Sequence, residues 1–430
     1  MILWDLPAAF VYGFLFVLGA VIGSFLNVCV YRLPLRDDIV GAWRGVVDPP
    51  SSCPSCRHRI LSIDNIPIFG WIFLRGRCRF CRHRISIRYP LVEFLNGALF
   101  VGLYIAMVPI GFHAKIEESC LFTDVSPFNL QGEFQGLTLR LHLQYLYYLV
   151  FAEALLVASL IDLDLQIIPD SVTVPAMVVG ILGSLAGTFY LVPVWSQNPS
   201  FVTLFWSLFA DPEARPPWWT EVTIPQWCLD YPIPHGLAVS LAGFVIGGGV
   251  IWFIRIVGAW VFRREAMGFG DVILMAVIGS FLGWQPTLIV FFLAPLCALV
   301  VVLATWLFSR SREIPFGPYL SLGALLTIVA WKPLYAATAH FFSLGPFVPV
   351  LAALLGLSLV VVLWFVQGLK WLAGIPLYED EVTGEWTSAD QLTFFASHQA
   401  AAAKSGHPRP EWPGVAAGQG TLQRKLWQGR

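Results

Sequence analysis

The sequence predicts an all-α polytopic membrane protein of about eight or nine transmembrane helices, with a small cytoplasmic four-cysteine zinc-type loop domain. Three observations predict it. Of 430 residues only 12% are charged, against roughly a quarter in a typical soluble domain, while 57% are apolar and the mean hydropathy is +0.71. The apolar residues gather into runs of about 20, the length that spans a bilayer core as a helix. The scarce cations gather too, with eleven Arg and four Asp between residues 32 and 88. Together these exclude a disordered chain, a fibrous protein and an ordinary soluble enzyme. The net charge of −1 averages over compartments and decides little.

Taken in order, the apolar segments fall at residues 8–30, 90–112, 144–161, 171–194, 236–257, 272–285, 287–308, 318–334 and 345–368. The sixth is short, which suits a tilted or partly re-entrant helix. Residues 1–7 carry no basic region and the following apolar run has no small-residue cleavage site, so no signal peptide is expected. Arg and Lys concentrate in cytoplasmic loops. That places the loop 32–88, Arg255, Arg263, Arg264, Arg310, Arg312 and Lys370 in the cytoplasm, and nine spans put all of them on one side. The N-terminus and the segments 113–143, 195–235 and 335–344 fall outside. Trp195, Trp206, Trp218, Trp219 and Trp227 in the loop 195–235 read as an interfacial aromatic belt; an external recognition surface is the alternative.

Eight cysteines are present, and four form Cys53-x-x-Cys56 and Cys78-x-x-Cys81. The two halves are an internal repeat: Cys-x-x-Cys-Arg-His-Arg-Ile at 53–60 recurs at 78–85. Each half supplies two sulfurs to one tetrahedral ion, and four thiolates select chiefly zinc. A cytoplasmic position keeps thiols reduced and favours metal over disulfides. Two disulfides or a redox pair remain alternatives. His58 and His83 could replace a sulfur, but read as surface or outer-shell residues. A closed four-ligand site has no open position, so this metal would hold the loop together. Cys29 and Cys297 read as packing residues.

Acids beside membrane spans are expensive without a partner or water. Two clusters stand out at the cytoplasmic edge. One holds Asp162, Asp164 and Asp170, with Ile168-Pro169 before the last; the other is Gly268-Phe269-Gly270-Asp271. Gly268 and Gly270 remove side chains next to Asp271, permitting close approach or an unusual turn. Two carboxylates held close do not both ionise cheaply, so one keeps a proton while the other accepts one. That is what acid–base activation of water against an amide requires. The plainer reading is that Asp170 and Asp271 cap helix starts. A transporter ion site would use similar acids.

Several ordered blocks together resemble the bacterial prepilin leader peptidase family, integral-membrane aspartic peptidases of type IV pilus and type II secretion systems. They are Gly23-Ser24-Phe25-Leu26-Asn27-Val28-Cys29-Val30-Tyr31-Arg32-Leu33-Pro34, the cysteine loop with Asp64-Asn65-Ile66-Pro67, and Arg88-Tyr89-Pro90-Leu91-Val92-Glu93. The others are Asp162 through Ile168-Pro169-Asp170, the G-x-G-D at 268–271, and Pro315-Phe316-Gly317-Pro318-Tyr319-Leu320. The resemblance covers about residues 10–330. It implies that Asp162 and Asp271 are the catalytic pair, with Asp164, Asp170, Gly268 and Gly270 supporting them. It implies cleavage of a basic leader from prepilin or pseudopilin precursors at the cytoplasmic membrane face, after a Gly. It also implies N-methylation of the new terminus by S-adenosylmethionine, with Cys53, Cys56, Cys78 and Cys81 holding zinc. No glycine-rich strand–turn–helix marks a place for the nucleotide portion.

The implied setting is a multi-pass protein of the bacterial inner membrane. Lipid and the pilus or secretion machinery are its partners, and no nucleic acid is expected. The implied division is a first span (1–31), the cysteine loop (32–89), a peptidase core (90–335) containing the extracytoplasmic loop 195–235, an added membrane region (336–372) and a polar cytoplasmic tail (373–430). Ile273 stands where many family members have Lys, and the loop 195–235, the ninth span and the tail look like extensions. A non-enzymatic zinc-loop scaffold or an ion-coupled transporter are the competing classes. A scaffold would survive loss of both acids; a transporter would hold them near the midplane.

Overall fold

The computed structural model describes residues 7–36, 38–48, 50–53, 55–108, 134–187, 189–195, 224–262, 267–306, 315–345 and 347–373. The expectations for residues 196–223, for Arg263, Arg264, Arg310 and Arg312, and for the tail from 374 onward lie outside the described residues.

Each apolar segment contains helix among its described residues. In chain order these are α1 (Ala8–Arg32), α2 (Ile39–Val47) and α3 (Phe69–Phe73) in the cysteine loop, α4 (Arg88–Met107), α5 (Phe134–Leu165), α6 (Asp170–Ser184), α7 (Pro232–Phe262), α8 (Phe269–Leu282), α9 (Trp284–Trp306), α10 (Gly317–Val329), α11 (Trp331–Phe342) and α12 (Phe347–Leu372). Among the described residues six helices are individually long and apolar enough to cross a membrane: α1, α4, α5, α7, α9 and α12. The segment expected as one span at 318–334 is instead a pair, α10 and α11, bent by 95°. Counting it as one crossing makes seven candidates. The segments expected at 171–194 and 272–285 are the shorter apolar helices α6 and α8, of 15 and 14 residues. At 1.5 Å per residue they run only about 22 Å, less than the roughly 30 Å of a hydrocarbon core.

α5 is the central element. Tyr148, Phe151, Leu155 and Ile161 on it are fully buried, as are Leu274 and Met275 on α8. The Phe151 ring stacks on Phe281 of α8 at 4.7 Å, and the Tyr147 hydroxyl donates to the Gly180 carbonyl of α6 at 2.9 Å. Helices in lipid gain little from burying apolar surface, so close backbone approach and interhelical hydrogen bonds do the packing. α7 crosses α8 where Gly243 faces Gly279, and a side chain on either would overlap the other's carbonyl oxygen. α1 lies along α4 in the same manner, with Gly19 and Gly23 against Asn96, Gly97 and Glu93. Buried polar groups cross these seams: Asn96 Nδ2 donates to the Gly19 carbonyl at 2.9 Å, and Ser240 Oγ to that of Ser280 at 2.7 Å.

α12 is the outlier. None of its most apolar stretch is buried within the protein. It meets α7 through Trp260 and Trp364, whose rings pack edge-on at 5.5 Å, and through Gln367.

Candidate active site and four-cysteine centre

The two acidic clusters meet. Asp162 extends the buried stripe of α5 formed by Tyr148, Phe151 and Leu155, since 155 and 162 are two helical turns apart. It is buried, while its neighbour Leu163 is exposed. Asp271 lies in the first turn of α8, whose start is the G-x-G-D. The two carboxylates are 109 positions apart in sequence, yet Ile168 joins their surroundings, packing on Gly270, the neighbour of Asp271, and on Gly317, the amide partner of Asp162. The tie between α5 and α6 is what lets this happen. Residues 166–169 are irregular, with Gln166 at φ +55°, and they carry Ile168 in front of both partners. A Cβ built at Gly270 would stand 3.1 Å from Ile168 Cβ, and one at Gly317 would stand 3.3 Å from Ile168 Cδ1. Ile168 therefore packs between the starts of α8 and α10.

The third wall is the N-terminus of α10. The backbone amide of Gly317 donates to Asp162 Oδ2 at 3.1 Å. Neither Gly317 nor Ile168 stood out in the sequence on its own. The Gly317-Pro318 pair at a helix start was the available signal, since Pro is tolerated in the first turn.

The remaining acids and glycines of the two clusters have other surroundings. Asp164 is buried and ion-paired with Arg88 at the start of α4, which also donates to the Leu160 carbonyl at 3.3 Å. Asp170 is the exposed first residue of α6, after the N-cap Pro169. Gly270 packs closely on Ile168, whereas Gly268 has a φ of −68° and open space where a side chain would project. Arg255 of α7 steadies the approach to the G-x-G-D: its Nε donates to the Met267 carbonyl at 3.1 Å and its guanidinium lies 5.5 Å from the centre of the Phe269 ring.

The cysteine loop folds as two matching turns. Cys53 N–H donates to the His58 carbonyl (2.9 Å) and Cys78 N–H to that of His83 (2.8 Å). Arg57 N–H donates back to Cys53 (2.9 Å) and Arg82 N–H to Cys78 (3.0 Å). Arg57 and Arg82 both take positive φ, 59° and 58°, and each turn is closed by a single β-bridge, Ser52 with Arg59 and Arg77 with Arg84. The sequence repeat is thus a repeat of structure. It brings all four sulfurs within 4.8 Å of one another, with Cys53 and Cys81 3.7 Å apart. Sulfurs about 2.3 Å from a common centre at tetrahedral angles lie about 3.8 Å apart, so this donor set fits zinc. None of the four is in a disulfide. Amide donation from His83 leads in drawing the Cys81 thiol down to about 6, while burial pushes Cys53 up to about 11. His58 stacks on Phe80 of the other turn, with ring centres 4.6 Å apart.

Several contacts fasten the loop to the membrane helices, among them Arg32 of α1, which donates to the Val46 carbonyl at 2.9 Å. Glu93 of α4 accepts from the Ile68 amide at 2.6 Å, just before α3. Trp43 of α2 donates to the Ser171 carbonyl at the start of α6 at 2.9 Å. The Arg88–Asp164 pair joins the loop's end to α5, two residues beyond Asp162. Within the loop Arg79 grips Asp64 with two nitrogens at 2.5–3.2 Å, holding that carboxyl below its usual range.

Residues 17–107 match the Bacterial Peptidase A24 N-terminal domain, and residues 149–303 match the Type IV leader peptidase family. The chain is 28% identical over 355 residues to the prepilin leader peptidase/N-methyltransferase of Burkholderia pseudomallei (strain 1026b), covering 77% of this chain and 89% of that protein. Against the protein of that name from Pectobacterium carotovorum subsp. carotovorum it is 29% identical over 342 residues, 74% and 92% of the two chains. Against that of Klebsiella pneumoniae it is 30% identical over 277 residues, 64% and 87%. No solved structure matches the chain. The two matched regions carry the cysteine loop and both acidic clusters, and the chain belongs to the type IV leader peptidase family.

Proposed function

We propose that this protein cleaves the leader from prepilin or pseudopilin precursors by aspartic-peptidase chemistry at the cytoplasmic face of the bacterial inner membrane, and then N-methylates the new terminus. The observation that supports the peptidase reading is that Ile168 packs on both Gly270, beside Asp271 in the first turn of α8, and Gly317, whose amide donates to Asp162. One carboxylate takes a proton from water as the water attacks the scissile carbonyl. The other protonates the carbonyl oxygen; as the tetrahedral intermediate collapses, the first carboxylate gives the proton it took from water to the leaving amine and the second regains its own from the diol hydroxyl. No acyl-enzyme forms. Asp164, Asp170, Gly268 and Gly270 are supporting residues in this reading, with Asp164 acting through its pair with Arg88. The substrate's apolar segment lies in the bilayer beside the site, and lipid and the inner-membrane pilus or secretion machinery surround it.

Cys53, Cys56, Cys78 and Cys81 would hold zinc, which supplies a rigid cross-link between the two turns of the loop. The donor of the methyl group is S-adenosylmethionine, in keeping with the names of the relatives. Among the described residues there is no strand feeding a glycine-rich turn, so no residue of this chain is assigned to it.

The test is cleavage of a purified prepilin by wild type and by Asp162→Asn and Asp271→Asn. Both variants should insert and fold yet lose cleavage by at least about 10³-fold, since each removes a proton-transfer group. Normal processing by either would overturn the assignment.

A further inference from the structure

We infer that Gly317 is a positioning residue for Asp162, with its backbone amide and its missing side chain together fixing the orientation of that carboxylate. The inference rests on the peptidase reading above and goes beyond it. Gly317 lies beyond residues 149–303, the region that matches the peptidase family.

Two separate features of the residue act on the same oxygen. The first is the donor. The first amides of a helix have no partner within it. In α10 the next residue, Pro318, has no N–H, and the amides of Tyr319 and Leu320 both donate to the Phe316 carbonyl at 3.1 and 3.2 Å. The Gly317 amide is the one that reaches out, and it meets Asp162 Oδ2 at 3.1 Å. The second feature is space. A Cβ at residue 317 would stand 2.5 Å from Asp162 Oδ2 and 3.2 Å from its Cγ, inside contact distance for both. Gly317 does not take a positive φ, so backbone conformation is not what demands glycine here. The carboxylate itself demands it.

The consequence is a choice of oxygen. Oδ2 is spent on the helix start. Oδ1 is therefore the oxygen left for water and substrate. An added methyl group has little freedom on its other side, where it meets Ile168 Cδ1 at 3.3 Å. It would turn the carboxylate away, and the pair would lose its alignment without losing either acid.

The experiment compares four full-length proteins in detergent or nanodiscs: wild type, Gly317→Ala, Gly323→Ala and Asp162→Asn. Gly323 lies on the same helix, and a Cβ there would have its nearest neighbours at 3.4 Å, ordinary contact. Each protein is assayed for prepilin cleavage over a range of substrate concentrations and for thermal unfolding. Gly317→Ala should lose about 10²-fold in kcat with KM within about threefold of wild type, as expected of a misplaced catalytic group. Gly323→Ala should stay near wild type, and Asp162→Asn should be inactive. A residue needed only for packing α10 would lower the melting temperature and leave the kcat of the folded fraction unchanged, which would overturn the inference. If Gly317→Ala fails to accumulate, Ile168→Ala/Gly317→Ala is compared with Ile168→Ala, because removing the Ile168 Cδ1 gives the new methyl group room. Equal kcat for those two proteins would overturn the inference as well. Full cleavage by Asp162→Asn would instead sink the peptidase reading itself, so the two failures are distinct.

Discussion

Replacing Arg88 by Met should destabilise the protein through one identifiable interaction. Arg88 begins α4 and its guanidinium pairs with Asp164 on α5, with the two side chains 19% and 8% exposed. Met keeps most of the aliphatic stem and removes the charge. Asp164 is then a buried carboxylate that has lost its cation, and breaking a buried pair from one side costs about 3–5 kcal/mol. Arg88 retains some exposure, so a cost near 3 kcal/mol is expected, about a 150-fold change in the folding equilibrium. The lost hydrogen bond to the Leu160 carbonyl adds little, because that oxygen still accepts within α5. The second perturbation separates charge from packing. Arg88→Met/Asp164→Leu removes both partners and should recover the greater part of the loss, because an apolar pair of similar volume often replaces a buried ion pair at no cost. Unfolding of the purified proteins in mixed micelles, followed by helical circular dichroism, completes a double-mutant cycle with Asp164→Leu. A coupling below about 0.5 kcal/mol would refute the reasoning. It would mean that Arg88 works through its stem or its carbonyl contact and not through Asp164.

Other outcomes follow from the same geometry. Cys53→Ser should reduce bound zinc from about one ion per chain to near none and open residues 50–87 to protease, measured by metal analysis and limited proteolysis; wild type purified without metal would contradict the four-sulfur site. Gly279→Val should prevent α7 and α8 from closing, and the folded yield should collapse, whereas Gly249→Ala, with open space around it, should express as wild type. Trp43→Phe should loosen α2 from the start of α6 by about 1 kcal/mol, read as faster hydrogen exchange of residues 39–47 at unchanged global stability.

Much of the membrane architecture was legible in the apolar runs, because a run of that length must form helix to satisfy its own backbone in lipid. The places where the reading missed are informative. Residues 318–334 are mostly apolar, yet the helix breaks at Ala330. There Trp331 is drawn into the core, 1% exposed, and hydropathy does not register that docking. Residues 171–194 are apolar for the length of a span, but α6 ends at Ser184, and Gly187 then takes φ +70° against the Pro232 backbone. The cysteine turns were legible in more detail, since each is built from hydrogen bonds within about ten consecutive residues.

The sequence by itself determined the materials of the site: which segments are helical, where the four sulfurs recur, and which few acids lie beside apolar helices. These are properties of a segment and its neighbours in the chain, decided by hydrophobic length, turn chemistry and spacing. Only the tertiary structure decided which of those acids face each other. Asp162 and Asp164 are two residues apart on one helix, so they point to nearly opposite sides. Packing sends the first toward Gly317 and the second toward Arg88. It also assigned the glycines. Gly317 is required by a carboxylate 155 residues away, while Gly268 stands in open space despite its place in the motif. A glycine's purpose is the atom that would collide with its side chain, and that atom belongs to another part of the fold.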